Sequence, residues 1–157
     1  MIRPTRSYDT SYSSSLLTLL SLINDILDYS KIESGRLHLE LARCDAQAIC
    51  AEVMELVHLQ AIQKGIELKI DAPVPAVMVI ADSLRLRQVL LNLIGNAVKF
   101  TESGSVRVEL NVLTTQQRTS VRPMLRISVI DSGIGIAPDK VPLLFSRFMQ
   151  ADDSARS

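Results

Sequence analysis

The sequence predicts an α+β fold, a two-layer α/β sandwich preceded by one long helix. Three observations predict it. Long segments carry apolar residues at helical spacing, shorter apolar runs of strand character lie between them, and capping or breaking residues stand where one pattern gives way to the next. Strands and long helices mixed in this order favour one sheet with helices packed on one face. The 157 residues, 47% of them hydrophobic, suffice for one globular core plus a helix.

The elements follow in chain order. Residues 1–15 are rich in serine and threonine and are expected to be disordered or frayed. From Leu16 the pattern turns helical: Leu16, Leu19, Leu20, Ile23, Ile26 and Leu27 recur at spacings of three and four, and Ser30 continues the row as a polar break. Gly35 is a natural stop. Such a helix is roughly 28 Å long, and a narrow apolar stripe of that length needs a partner helix. Leu37, Leu39 and Leu41 then alternate with His38 and Glu40, which predicts a half-buried strand. Asp45 is the expected N-cap of a helix running to Lys64, with Gly65 as its stop and Ile49, Val53, Leu56 and Val57 on one face. Residues 66–71 and 76–80 read as strands on either side of a proline break. Asp82 caps a long helix over 83–100. Strands are expected at about 105–113 and 124–130, joined by the polar loop TTQQRTSVRP, and a last helix near Pro138.

Charge and cysteine content narrow the function classes. Lysine plus arginine (17) balances aspartate plus glutamate (17), which gives no field for holding nucleic acid or an anionic membrane. Cys44 and Cys50 are too few for a disulfide framework or a zinc site and read as buried, reduced thiols of a cytoplasmic protein. No apolar run approaches the ~20 residues of a membrane span. The polar opening MIRPTRSYDT lacks a signal-peptide core, although a parent protein can carry a membrane anchor upstream.

Two segments carry candidate chemistry. On the helix 83–100, Arg85, Gln88, Asn92, Asn96 and Lys99 fall on a stripe roughly 80° wide at about 100° per residue. The stripe is either a solvated face or a ligand surface. A merely solvated face would favour better helix formers than asparagine, whereas carboxamide oxygens can ligate Mg²⁺ and a lysine can neutralise phosphate. The second segment is DSGIGI, residues 131–136, directly after the strand LRISVI. Asp-Ser-Gly is ordinary turn chemistry. The alternative is that Asp131 accepts a hydrogen bond from an amino group while Gly133 and Gly135 permit close approach to a flat ligand.

Taken together, RLRQVLLNLIGNAVKF followed by VIDSGIGI resembles the N box and G1 box of the GHKL ATP-binding family. LLFSRFMQADDSARS is similar to that family's F box and the start of its ATP lid. Upstream, LINDILDYSKIESGRLHLE resembles the end of the second dimerisation helix of two-component histidine kinases. The order and spacing of these blocks, from about Leu16 to Ser157, resemble the hybrid sensor kinases.

The resemblance implies ATP and Mg²⁺ as ligands and assigns roles. Asn96 resembles the Mg²⁺-coordinating asparagine, and Lys99 the phosphate-contacting lysine. Asn92 stands where hydrolytic relatives carry a catalytic glutamate; with Lys99 it is the candidate catalytic pair. Asp131 resembles the aspartate that reads the adenine amino group, Gly133 and Gly135 the glycines lining the adenine pocket, and Phe145 and Phe148 the aromatic pair of the F box, for which core packing is the other reading. It also implies a division into 1–15, a dimerisation-helix end over 16–35, and an ATP-binding domain over 36–157, cut before the G2 box and so incomplete at its C-terminus.

Neither histidine matches the family's phosphoacceptor context. His38 sits among alternating leucines, and His58 lies about 180° from Ile49 on its helix. The implied function is therefore the ATP-binding catalytic region of a histidine kinase that transfers the γ-phosphate to a histidine outside this chain. The implied partners are a phosphoacceptor helix, a response-regulator receiver domain and a second copy of the parent protein. A GHKL ATPase is disfavoured, since Asn92 is no useful proton acceptor. A nucleotide-binding or dimerising remnant without catalysis is the other alternative. This chain alone is expected to associate or be poorly stable, and not to autophosphorylate.

Overall fold

The computed structural model of the chain describes residues 23, 26–73, 75–117 and 120–143. Leu16, Leu19 and Leu20 of the first stripe, and Phe145 and Phe148 with most of the expected last helix, lie outside the described residues. The chain divides into two units, Met1–Leu39 and Glu40–Ser157.

In the first unit, residues 26–33 form helix α1. It ends where predicted, at Gly35 (φ 65°). The Arg36 N–H donates to Lys31 O (2.8 Å) and the Gly35 N–H to Ile32 O (3.0 Å), the paired bonds of a Schellman stop. Ile26, Leu27 and Ile32 are all more than half exposed within this unit.

The second unit contains β1 (Ala42–Asp45), α2 (Ala46–Lys64), β2 (Ile66–Asp71), β3 (Met78–Ala81), α3 (Ser83–Phe100), β4 (Gly104–Gln117), β5 (Ser120–Asp131) and a short 3₁₀ turn, Val141–Leu143. Both long helices start on the predicted caps. The Asp45 carboxylate accepts from the N–H groups of Gln47 (2.9 Å) and Ala48 (3.1 Å), and that of Asp82 from Arg85 N–H (3.1 Å). These satisfy donors that have no partner inside the helix.

The described strands make two sheets rather than the single sheet expected. β1 and β3 pair antiparallel, and β2–β4–β5 form a mixed sheet. β2 and β4 are parallel, with Leu68 opposite Val106; such a pair requires a crossover, which β3 and α3 provide. β4 and β5 form a long antiparallel hairpin, Val106 opposite Asp131 and Gln117 opposite Ser120. The hairpin corrects the expected polar loop, because most of TTQQRTSVRP pairs through its backbone. Polar sequence removed the apolar signal but not the capacity for ladder hydrogen bonds.

The predicted strand over Leu37–Leu41 is also corrected. Residues 36–41 are not strand, and Leu39 (54%) and Leu41 (62%) are exposed. β3 is four residues long and pairs with Ala42–Asp45 instead. The Glu40 N–H turns to the Asp82 carboxylate (3.0 Å) and not to a ladder. Alternation supplied a face but no partner strand.

Helices α2 and α3 pack side by side on one face of the mixed sheet. Ile49, Cys50, Val53, Val57 and Ala61 of α2 meet Leu90, Ile94, Ala97 and Val98 of α3 over Val106, Val108 and Leu110 of β4. The other sheet face is ionic: Arg107 Nε lies 3.2 Å from Glu109, and Lys69 lies 2.9 Å from Glu67. Leu56, grouped with the α2 core from sequence, is 66% exposed; on α3, Val89 and Leu93 are likewise outside the core. Cys50 is buried, and desolvation pushes its thiol up to about 11, whereas Cys44 is only half-buried.

Candidate nucleotide site

The candidate site lies where α3 ends and β5 gives way to the 131–136 loop. On α3, Asn92, Asn96 and Lys99 are all exposed, each a turn from the next along one row. Lower on the same stripe, Arg85 Nη1 donates to Gln88 Oε1 (2.8 Å). The Lys99 ammonium stands 4.6 Å from the centroid of the Phe100 ring, within cation–π range. That contact keeps the charge at the end of the helix.

The loop is held against this end by its own sequence. Asp131 is the last residue of β5 and is exposed. Its Oδ1 accepts from the Gly133 N–H (2.9 Å), a turn closed by the side chain. A carboxylate offers about four lone-pair sites, so the turn leaves it capacity for an amino-group donor. Turn and ligand readings of DSGIGI are thus compatible.

The two glycines serve different needs. A Cβ on Gly133 would stand 2.6 Å from Phe100 O and 2.8 Å from Asp131 Oδ1, so only glycine lets the loop lie on the end of α3. Gly135 has open space around it but a left-handed backbone (φ 69°) that disfavours side chains. The Ile134 N–H reaches Phe100 O (3.3 Å). Ser132 Oγ accepts from Ser105 N–H (3.0 Å) and donates to Ser103 O (3.2 Å), which ties the loop to the start of β4.

The structure therefore brings the end of α3, which carries Lys99, against the loop that carries Asp131, Gly133 and Gly135, while Asn96 and Asn92 stand one and two turns further back along α3. Phe145 and Phe148 lie outside the described residues. His38 and His58 are both exposed. Three anchors escaped the sequence reading: Ser132, the Phe100 carbonyl, and Lys64. The Lys64 ammonium donates to the carbonyls of Val98 (2.9 Å), Lys99 (2.6 Å) and Thr101 (3.0 Å). Ser132 could have been found as the polar residue inside a glycine turn; the others had no local signal.

The residues suit a nucleotide with a divalent cation. Amide oxygens and an ammonium in one exposed row match phosphate and a hard cation, and a glycine loop beside a carboxylate matches a flat, amino-bearing ring. Among the described residues no cluster of three or more His, Cys, Asp or Glu side chains could hold a metal. A Mg²⁺ ion here would thus draw most of its ligands from phosphate oxygens and water.

Comparison with known proteins gives the family of the chain. Residues 81–157 match the family described as "Histidine kinase-, DNA gyrase B-, and HSP90-like ATPase". The chain is 43% identical over 141 residues to the hybrid signal transduction protein dokA of Dictyostelium discoideum, covering 87% of this chain and 8% of that protein. It is similar to the crystal structure of full-length ShkA in complex with AMPPNP, with a TM-score of 0.75 and 35% identity over 96% of this chain and 32% of that one. It also resembles histidine kinase ThkA, solved in complex with the response regulator protein TrrA, with a TM-score of 0.68 and 25% identity over 94% of this chain and 42% of that one. The chain spans less than half the length of each of these relatives. Fold, motif order and relatives converge: the chain belongs to the histidine kinase-like ATPase family and is homologous to the ATP-binding catalytic region of hybrid sensor kinases.

Proposed function

We propose that this chain binds ATP with Mg²⁺ between the Asn92–Lys99 row of α3 and the 131–135 loop, and presents the γ-phosphate to a histidine of a separate phosphoacceptor helix. The supporting observation is the docking of the Gly133–Ile134 backbone on Phe100 O, which holds the Asp131 turn against the end of the helix that carries the row. Bound MgATP supplies the phosphoryl group. Asp131 accepts a hydrogen bond from the adenine amino group, and Gly133 and Gly135 let backbone approach the ring. Asn92 and Asn96 offer carboxamide oxygens toward the cation, Asn96 as its direct ligand, and Lys99 balances phosphate charge. With no carboxylate at position 92 to activate water, positioning and charge neutralisation toward a protein acceptor are favoured over hydrolysis.

On this reading residues 16–35 are the end of a dimerisation helix and 36–157 the ATP-binding domain of a cytoplasmic portion that works as a homodimer. Exposed Ile26, Leu27 and Ile32 on α1 support pairing with a second helix. Histidine kinases such as ThkA engage response regulators, and a receiver domain is the proposed next acceptor here. Among the described residues, no helix is long and apolar enough to cross a membrane.

Asp131→Asn tests the adenine assignment. Loss of one charge-assisted hydrogen bond should weaken MgATP binding by about 1.5–3 kcal/mol in calorimetry. Equal affinity of the two proteins would remove Asp131 from the site.

A further inference from the structure

The carbonyls that end a helix have no partner inside it. At the end of α3 four consecutive ones are met from outside. Lys64 takes those of Val98, Lys99 and Thr101, and the Ile134 N–H takes that of Phe100. An ammonium has three donors, and here each has a carbonyl. Its charge also opposes the negative end of the helix dipole. Lys64 is the last residue of α2, on another element from every nucleotide-facing residue proposed above, and the left-handed Gly65 behind it turns the chain away into β2.

We infer that Lys64 is a positioning residue for the nucleotide site: its ammonium fixes the last turn of α3, which aims Lys99 and holds the Phe100 carbonyl where the 131–135 loop docks. The inference rests on the nucleotide-binding function proposed above. A simple helix cap would stabilise α3 alone. This one grips the carbonyls on both sides of the single carbonyl that receives the loop, so movement of the turn also moves the Gly133–Ile134 backbone and, through the Asp131–Gly133 bond, the Asp131 carboxylate.

The test compares the full chain with Lys64→Met, which keeps an apolar stem without the charge, and Lys64→Arg, which keeps the charge and the donors. Amide hydrogen exchange is followed at Ile134, with Val108 in the sheet as the reference, and MgADP affinity is measured by calorimetry. Lys64→Met should raise Ile134 exchange about tenfold with Val108 unchanged and weaken MgADP about tenfold, and Lys64→Arg should recover most of both. Unchanged Ile134 exchange in Lys64→Met, or no recovery in Lys64→Arg, would overturn the inference. If Lys64→Met raises Val108 exchange equally, Lys64→Gln is measured in its place, and the same uniform rise there would reduce Lys64 to a fold-stabilising residue. A wild-type chain that binds no MgADP would instead refute the nucleotide site itself, while Ile134 exchange would still report on the Lys64 tether.

Discussion

Helices α2 and α3 are nearly equal in length, at 19 and 18 residues. Both start on an aspartate cap and both bury one face in the same core. They differ in what the other face carries. The outer side of α2 exposes Leu56, Leu59 and Ile62. That of α3 also exposes apolar side chains, Leu84, Val89 and Leu93 among them, but it adds the row Asn92, Asn96 and Lys99. Burial therefore identifies the core without separating the helix proposed to face the nucleotide from the other one. The separating signal is chemical: amides and an ammonium in register, next to a glycine loop that docks on the same helix end.

The largest expected effect sharpens the contrast between inner and outer faces. Ile94 is fully buried, and Ile94→Ala should cost about 2–5 kcal/mol in denaturant unfolding. Leu56→Ala on the outer face of α2 should stay within about 0.5 kcal/mol. A comparable loss at both sites would show that the outer face of α2 is covered.

The caps differ as well. The Arg85 and Glu40 N–H bonds hold the Asp82 carboxyl below its ordinary value of 3.8. A depressed value in the folded state means that the stabilisation is complete above 3.8 and is lost as pH falls through the lowered value. The stability gap between wild type and Asp82→Asn should be present at neutral pH and close in acid below 3.8. A gap of constant size would deny the charge any part in the cap. Smallest is the exposed pair that bridges the helices, Arg87 Nε to Glu52 Oε2 at 3.2 Å. Glu52→Gln should change stability by no more than about 1 kcal/mol, and a larger loss would mean that the pair holds the two helices together.

What was legible in the sequence was local. Asp45, Asp82, Gly35 and Gly65 marked helix ends because the hydrogen bonds that cap those ends run to residues two to five positions away. The α3 row was legible because helical spacing alone assembles it. Whatever depended on distant partners was not. Leu37, Leu39 and Leu41 alternate as strand residues do, but β3 pairs with Ala42–Asp45. The polar stretch after Leu113 pairs across its own hairpin. Leu56 fits the apolar spacing of α2, yet neighbouring elements cover only the side that Val53 and Val57 share. Lys64 reaches carbonyls 34 to 37 residues further along the chain, which no periodicity announces.

Backbone amide shift mapping with MgATP tests the central claim most directly, because it reads both helices at once. Perturbations should concentrate on Asn92–Phe100 and residues 131–136, fade without Mg²⁺ at the Asn92 and Asn96 turns, and leave Ala46–Lys64 unmoved before its last turn. Perturbations centred on the Leu56–Ile62 face of α2, or no perturbation at saturating nucleotide, would contradict it.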